Sequence, residues 1–296
     1  MREIRVFAPA KLNLYLDVLK KRPDGYHDIE TIFEKIDLKD EIIIREKGSG
    51  LKVEASSNKC SQDKDNIVYK AVKALSTEAK IRPNLEIYIK KNIPVSAGLG
   101  GGSSNAASSL MAINELFDLG VSEKRLFEIA LGLGKDVLFF MKDTPFAVAG
   151  GAGEVLKKLD LTQSFFHILI KPFIPLSTRL MYNRIDRRNF SNRLHSLKKA
   201  LSALRARDIK ALEDNYYNIF EDVLGRDSVH INKVKTMLFR AGGRHSLLSG
   251  SGPTVFCTFG NKKSAERVFK AIPKHKAEGV FLVKTYKGGI YGDYRG

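Results

Sequence analysis

The sequence predicts an α+β protein with two lobes, residues 1–160 and 161–296. Two observations lead to this prediction: strand and helix patterns are mixed in the first lobe, and long helical patterns with few strands follow it. A chain of 296 residues has room for two such units at roughly 150 residues each. The apolar fraction of 43% suffices for a real core, which excludes a disordered chain.

The elements of the first lobe follow from the spacing of apolar residues, which differs between strands and helices. Asp65 or Asn66 is placed to cap the first helix, and Ser122 and Gly134 are placed to begin and end the third. In chain order, the patterns predict strands at 2–8 and 40–45, a helix at 65–80, a strand at 85–90, helices at about 104–118 and 123–133, and strands within 145–175.

The second lobe begins with helical patterns over residues 178–240. Strands are predicted within 246–259 and at 279–287, on either side of a helix at about 263–272. The sequence contains no internal repeat and no low-complexity tract, so a repeat architecture is excluded.

The charge balance is strongly basic. Fifty Lys and Arg residues against 33 Asp and Glu residues give a formal net charge of +17. Such an excess favours anionic partners, whether nucleotides, phosphorylated metabolites or nucleic acid, without choosing among them. Much of the excess lies in residues 171–210, which we interpret as a solvated helical face and not as a nucleic-acid site.

The apolar segments and the cysteines bear on location. No run of apolar residues approaches the roughly twenty that a membrane-spanning helix needs, and the N-terminus lacks the apolar stretch of a signal peptide. Cys60 and Cys257 lie far apart in the sequence. We therefore expect two reduced thiols in a cytoplasmic protein without a membrane partner.

A glycine-rich segment, Gly-Leu-Gly-Gly-Gly-Ser-Ser at residues 98–104, lies between a predicted strand and a predicted helix. Glycines let a backbone approach another group closely, and a helix N-terminus offers unpaired N–H groups, so together they predict a phosphate cradle. Ser103 and Ser104 add hydroxyls that can cap the helix or reach a phosphate or a metal. The residue pattern does not match that of a P-loop or of a dinucleotide-binding fingerprint. A flexible surface turn is disfavoured because a periodic strand and a periodic helix lie on either side.

Phosphoryl transfer needs charge neutralisation, and it benefits from a carboxylate near the acceptor hydroxyl. Lys11 in an apolar strand and Asp136 before an apolar run are candidates for these roles. From the local sequence alone, Lys11 is equally a strand-edge lysine, Asp136 a helix cap and His27 a turn residue. No spacing of His, Cys, Asp or Glu suggests a zinc site.

Three segments together resemble the GHMP kinase superfamily of small-molecule kinases. Residues 94–104 resemble its glycine-rich loop, and residues 248–256 resemble its third signature, Leu-Ser-Gly-Ser-Gly-Pro-Thr-Val-Phe. The blocks at 9–16 and 22–27 resemble the branch that phosphorylates a cytidine-diphosphate-linked methylerythritol in non-mevalonate isoprenoid synthesis. The resemblance implies a ribosomal-protein-S5-like N-terminal lobe, a C-terminal α/β sandwich lobe, ATP and Mg²⁺ as cofactors, and a monomer or homodimer that binds no nucleic acid.

The resemblance also implies residue roles. Lys11 and Asp136 are the implied catalytic residues, the first neutralising the phosphoryl group and the second deprotonating the substrate hydroxyl. Those implied to bind ATP are Asn66 and the loop residues Pro94, Val95, Ser96, Ala97, Gly98, Leu99, Gly100, Gly101, Gly102, Ser103 and Ser104. Those implied to bind the acceptor are Asn13 at the methylerythritol end and Tyr26, His27, Phe33 and Tyr182 around the cytosine. Those implied to close the phosphate site are Gly250, Ser251 and Gly252.

One departure from the family pattern lies beside Asp136. Lys135 replaces a small residue and Leu138 replaces a proline, and a cation at position 135 can either lower the pKa of Asp136 or point away into solvent. Two other functions stay open at this point. One is a GHMP kinase with a different alcohol acceptor, and the other is a basic RNA-binding protein, although no RNP-type or KH-type motif is present.

Overall fold

The computed structural model describes residues 3–186 and 196–288. Within these residues the strands are β1 (Glu3–Lys21), β2 (His27–Glu46), β3 (Leu51–Ala55), β4 (Leu85–Lys90), β5 (Phe146–Gly150), β6 (Val155–Lys158), β7 (Phe166–Lys171), β8 (Tyr217–Asn218), β9 (Ser246–Leu248), β10 (Val255–Phe259) and β11 (Gly279–Lys284). The α-helices are α1 (Ile67–Glu78), α2 (Gly101–Leu116), α3 (Glu123–Leu133), α4 (Lys135–Met141), α5 (Thr178–Ile185), α6 (Leu197–Ala206), α7 (Ile209–Asp214), α8 (Ser228–Arg240) and α9 (Lys262–Ala271). No helix among the described residues is both long and apolar enough to cross a membrane.

The first sheet has seven strands, in the order β3-β4-β2-β1-β8, with β5 paired to β2 and β6 paired to β5. Its centre is the long antiparallel pair β1 and β2, in which Lys11 lies opposite Lys35 and Asn13 opposite Phe33. Side chains two residues apart on a strand share a face. The side chains of Lys11 and Asn13 therefore lie on the same side of the sheet.

The second sheet has the order β11-β7-β10-β9, and all its neighbours are antiparallel. A β-bridge between Ile36 of β2 and Thr285, the residue after β11, links it to the first sheet. The described chain thus has the mixed α+β character that was predicted. The boundary at residue 160 stays a prediction.

The apolar face of α2 anchors the glycine-rich segment in the core. Ala106, Ala107 and Leu110 are fully buried there, with apolar residues of α1, α3, α4 and the first sheet. Because the first turn of α2 is continuous with this buried face, the start of the helix is held in one position.

Two elements differ from the sequence prediction for identifiable reasons. β1 extends far beyond residue 8, because residues 8–18 are buried without alternation and so show no period-two pattern. The helix predicted at 104–118 begins at Gly101, since glycine has a low helix propensity and obscures a helix start from periodicity. In contrast, α3 has the predicted bounds, with the Ser122 side chain accepting from the Arg125 amide.

Candidate active site

The glycine loop is held by contacts within the protein. Gly98 and Gly100 have φ values of 75° and 69°, in the left-handed region that favours glycine. A Cβ on Gly98 would lie 2.1 Å from the Ser249 carbonyl oxygen, and one on Gly100 would lie 3.0 Å from Cγ of Lys11. The loop therefore needs these two glycines to pack against the β9–β10 connection and against β1.

The first turn of α2 offers free backbone amides. Gly100 is the N-cap and supplies no side-chain acceptor, and the Ser104 amide donates to the Gly100 carbonyl at 2.9 Å. The amides of residues 101–103 therefore have no carbonyl partner within the helix. Such amides, at the positive end of the helix dipole, suit a phosphate.

The two serine hydroxyls of this turn differ in position. Ser103 lines the cavity described below, whereas Ser104 is fully buried and its hydroxyl does not line it. Gly101 is also constrained from inside, because a Cβ there would lie 3.0 Å from Ile93 Cγ2. Packing within the protein therefore accounts for a glycine at 101 without any ligand.

Lys11 and Asp136 face each other across the same site. The Lys11 ammonium lies 3.5 Å from the Asp136 carboxylate and donates to Asn13 Oδ1 at 2.5 Å. The Lys11 side chain is 5% exposed and that of Asp136 is 37% exposed. Asn13 in turn donates to the Thr31 hydroxyl at 2.8 Å, which fixes its amide. The buried cation is thus paired and hydrogen-bonded, as a buried charge requires.

Most of the predicted site residues line one cavity of about 1000 Å³. Its walls combine the two charged residues, the loop before α2, the β9–β10 connection and one aromatic ring from α5. The predicted site residues that line it are Lys11, Asn13, Phe33, Asn66, Pro94, Val95, Ser96, Ala97, Gly98, Leu99, Gly100, Gly101, Gly102, Ser103, Asp136, Tyr182, Gly250, Ser251 and Gly252. Tyr26, His27 and Ser104 do not line it.

His27 lies beside Tyr182, the aromatic residue that α5 contributes to the cavity wall. The two rings stack, with centroids 4.8 Å apart and planes inclined by 29°. His27 Nε2 lies 2.6 Å from Asp186 Oδ1, and the Lys21 ammonium lies 2.5 Å from the other Asp186 oxygen. Burial, with a smaller effect of Asp136, raises the pKa of Tyr182 to about 12, so its phenol stays protonated.

Tyr26 projects outward and is 55% exposed. The Lys135 ammonium lies over its ring, 5.0 Å from the centroid, in the geometry of a cation–π contact. The cation beside Asp136 is therefore directed at Tyr26. Leu138 is buried in the core of the first sheet.

Phe33 lies in the cavity wall next to Lys11. It is 2% exposed, stacks on Phe139 at 4.8 Å and lies under the Lys11 ammonium, 5.3 Å from it. Along β2 it is separated from His27 by about 20 Å at the usual rise of a strand. In this structure Phe33 and His27 therefore do not lie side by side.

Asn66 has a structural role as well as a place in the cavity wall. Its Oδ1 accepts from the Val68 amide at 2.9 Å, which confirms it as the N-cap of α1. Its Nδ2 donates to the Ser61 carbonyl at 2.7 Å. A ligand contact by this side chain would compete with these bonds.

A buried polar cluster beside the loop was missed by the sequence analysis. The fully buried Asp40 carboxylate accepts from the Asn92 and Ile93 amides, each at 2.8 Å, and also from Lys91 and Asn105. Lys91 and Asn105 line the cavity. No local pattern could reveal this cluster, since its members come from β2, the segment after β4, and α2.

Comparison with known proteins defines the class of the site. The family model for the GHMP kinases N terminal domain matches residues 66–151, and that for the GHMP kinases C terminal domain matches residues 200–278. The chain is 41% identical to 4-diphosphocytidyl-2-C-methyl-D-erythritol kinase of Clostridioides difficile (strain 630), over 97% of both chains. It is 37% identical to the kinase of the same name from Syntrophomonas wolfei, over 96% of this chain and 99% of the other.

A solved structure supports the same assignment. The crystal structure of a 4-(cytidine 5'-diphospho)-2C-methyl-D-erythritol kinase superposes with a TM-score of 0.80 at 30% identity, covering 95% of this chain and 98% of the other. Fold, cavity and family matches together define a small-molecule kinase of the GHMP class. Within that class, the chain belongs to the family of 4-diphosphocytidyl-2-C-methyl-D-erythritol kinases. Neither alternative left open by the sequence is favoured by these matches.

Proposed function

We propose that this protein transfers the γ-phosphoryl group of ATP to the 2-hydroxyl of 4-diphosphocytidyl-2-C-methyl-D-erythritol, giving the 2-phosphate and ADP. The reaction would be a cytoplasmic step of non-mevalonate isoprenoid synthesis. The observation that carries the proposal is the Lys11 ammonium, 3.5 Å from the Asp136 carboxylate in the cavity that the glycine loop also lines. The names of relatives that match almost the whole chain supply the acceptor.

The two charged residues take complementary roles in this proposal. Asp136 accepts the proton of the attacking hydroxyl, and Lys11 stabilises the charge that develops on the transferring phosphoryl group. The oxygen attacks phosphorus in line with the departing ADP, without a phospho-enzyme intermediate. Asn13, which Thr31 and Lys11 hold in place, is positioned to orient the acceptor alcohol.

The phosphate tail of ATP would lie along the loop at residues 94–104. The free amides of residues 101–103 would bind its oxygens, and the connection at residues 250–252 would close the other side. Asn66 is proposed on the adenosine side, where it lines the cavity at the start of α1.

Mg²⁺ fits this site as an ion carried by the nucleotide. Among the described residues no group of three or more His, Cys, Asp or Glu side chains could hold a metal. Mg²⁺ usually keeps several waters and binds through phosphates and one or two protein oxygens. Ser103 lines the cavity, and its hydroxyl is the protein oxygen we propose for it. When bound, the ion would neutralise charge on the phosphates.

The cytosine of the acceptor would bind at the Tyr182 end of the cavity. Tyr182 supplies an aromatic face, which suits a flat base, and the neighbouring His27 supplies a hydrogen-bonding edge. Tyr26 would cover the base from the exposed side. Phe33, at the Lys11 end, would contact the alcohol portion instead of the base.

A coupled assay tests the proposal. ADP release from ATP and Mg²⁺ is measured with the cytidylated alcohol, with a plain sugar alcohol, and without an acceptor. We expect ADP release only with the cytidylated alcohol, and a product heavier by one phosphoryl group. Turnover with the plain sugar alcohol alone would indicate a GHMP kinase with another acceptor. Submicromolar RNA binding at physiological salt without any kinase activity would indicate the RNA-binding alternative.

A further inference from the structure

We propose that Asp186 sets the tautomer of His27 and thereby makes the base site select cytosine over uracil. Asp186 would act through His27 and not on the base itself, so it is a positioning residue for specificity. The inference rests on the proposed function, because it takes His27 to contact the base.

The geometry around His27 leaves one ring nitrogen for a ligand. Nε2 lies 2.6 Å from Asp186 Oδ1, and within residues 3–186 and 196–288 nothing hydrogen-bonds to Nδ1. The hydrogen bonds from His27, and then from Lys21, lower the pKa of Asp186, so the partner of Nε2 is a carboxylate. A carboxylate only accepts hydrogen bonds, and so Nε2 must carry the proton. In the neutral ring Nδ1 is then an acceptor.

The two residues that contact the His27 ring, Tyr182 and Asp186, lie on one face of the α5 segment. Tyr182 and Asp186 are four residues apart, and the Asp186 amide donates to the Tyr182 carbonyl at 3.0 Å. Residues with this spacing lie one above the other on a helix. The ring of Tyr182 therefore fixes the plane of His27 while the carboxylate of Asp186 fixes its edge.

An acceptor at Nδ1 distinguishes the two pyrimidines. Cytosine carries at position 4 an amino group, which donates hydrogen bonds. Uracil carries an oxygen there, which only accepts them. With Nε2 protonated, Nδ1 accepts from the cytosine amino group and meets the uracil O4 with an unfavourable lone-pair contact. The opposite tautomer would reverse this preference.

Because Lys21 binds the second oxygen of Asp186, the substitution Asp186→Asn tests whether this residue sets the tautomer of His27. In Asp186→Asn the ammonium of Lys21 can only donate, so it retains the amide oxygen and leaves the amide NH₂ facing Nε2. Nε2 must then accept, and the proton moves to Nδ1. Replacing Lys21 as well frees the amide to turn its oxygen to Nε2, which restores the first tautomer.

The experiment compares wild type, Asp186→Asn, Lys21→Met and the double variant with the cytidine- and uridine-diphosphate-linked alcohols, at about pH 8, where neutral imidazole is the ordinary form. In Asp186→Asn we expect kcat/KM for the cytidylated alcohol to fall roughly 10²-fold and that for the uridylated one to rise roughly tenfold, since mismatched hydrogen-bonding edges are strongly rejected. Lys21→Met should keep the wild-type preference, and the double variant should regain it.

A second measurement does not depend on catalysis. The ¹⁵N shifts of His27, assigned with a His27→Gln variant, report which ring nitrogen carries the proton. We expect protonated Nε2 in wild type and protonated Nδ1 in Asp186→Asn. Protonated Nδ1 in wild type, or an unchanged base preference in a folded Asp186→Asn variant, overturns the inference. Absence of activity in wild type with either alcohol would contradict the proposed function instead, and the tautomer measurement would still stand.

Discussion

The Lys11 ammonium and the Asp136 carboxylate lie 3.5 Å apart, although one belongs to the central strand pair and the other to the first turn of α4. α4 is held against β2 by the stack of Phe139 on Phe33. Lys35, also on β2, donates to the Phe140 and Lys142 carbonyls at the other end of this helix. The position of Asp136 thus depends on the contacts that β2 makes with α4.

Replacing Asp136 by Asn should lower kcat by roughly 10²–10⁴-fold, because the amide cannot take the hydroxyl proton. Nucleotide affinity should change by less than about twofold, since the substitution keeps the shape of the side chain and the proposed role of Asp136 is toward the acceptor hydroxyl. Steady-state kinetics and nucleotide titration measure the two effects. Asp160→Asn, at an exposed position, is the control and should match wild type. Normal turnover of Asp136→Asn would remove this residue from the proposed mechanism.

Two glycine substitutions should separate packing of the loop from its contact with ATP. In Gly98→Ala, the left-handed backbone and the 2.1 Å approach to the Ser249 carbonyl should lower the free energy of unfolding by at least about 2 kcal/mol. In Gly102→Ala, the nearest atom is Ile67 Cγ2 at 3.7 Å, and the helical position favours alanine. We therefore expect Gly102→Ala to unfold at the same or a higher temperature than wild type.

The same pair serves as a probe of phosphate binding. If ATP lies against the first turn of α2, a Cβ at residue 102 should raise the KM for ATP several-fold despite the intact fold. Thermal unfolding and ATP kinetics on one protein preparation provide both measurements. A stable Gly102→Ala variant with unchanged ATP kinetics would argue against contact at this residue.

Replacing Lys135 by Ala tests which residue its charge affects. Since the ammonium lies over the Tyr26 ring, the variant should raise the KM for the cytidylated acceptor and leave kcat nearly unchanged. An exposed cation–π contact contributes about 0.5–1 kcal/mol, so the expected change in KM is about two- to fivefold. Kinetics with varied acceptor measure it. A large change in kcat with constant KM would show that Lys135 acts on Asp136.

The pH dependence of the free energy of unfolding should show the effect of the lowered pKa of Lys35. Burial lowers the pKa of this lysine from its usual 10.5 to about 7, while Asp143 raises it and Lys158 lowers it further by smaller amounts. Between about pH 7 and pH 10.5 the unfolded chain therefore binds more protons than the folded one, so this group makes the free energy of unfolding rise with pH. Its destabilising effect is complete below pH 7 and is lifted towards pH 10.5.

Lys35→Met should remove that contribution. Urea unfolding at several pH values between 6 and 10 should give a smaller upward slope for the variant than for wild type, with Lys157→Met, at an exposed position, unchanged. Equal slopes for wild type and Lys35→Met would mean that the buried ammonium keeps its ordinary pKa.

The sequence predicted those features that depend on neighbouring residues. The bounds of α3 follow from a serine cap and a terminal glycine, and the cap of α1 follows from Asn66. The glycine-rich loop was recognisable because its glycines and serines are contiguous. Its internal constraints were not, since the contact of Gly98 with Ser249 joins distant segments. For the same reason Asp40 and Asp186, whose partners lie on other elements, carried no signal in the sequence.

The contact between Gly98 and the β9–β10 connection has a consequence for biosynthesis. The Ser249 hydroxyl donates to the Gly98 carbonyl at 3.0 Å, and the Thr254 amide donates to that of Ala97 at 3.4 Å. A nascent chain therefore exposes the loop long before the ribosome has made the residues that brace it. Nucleotide-binding competence should consequently arise late in translation, when the segment around residue 254 leaves the exit tunnel.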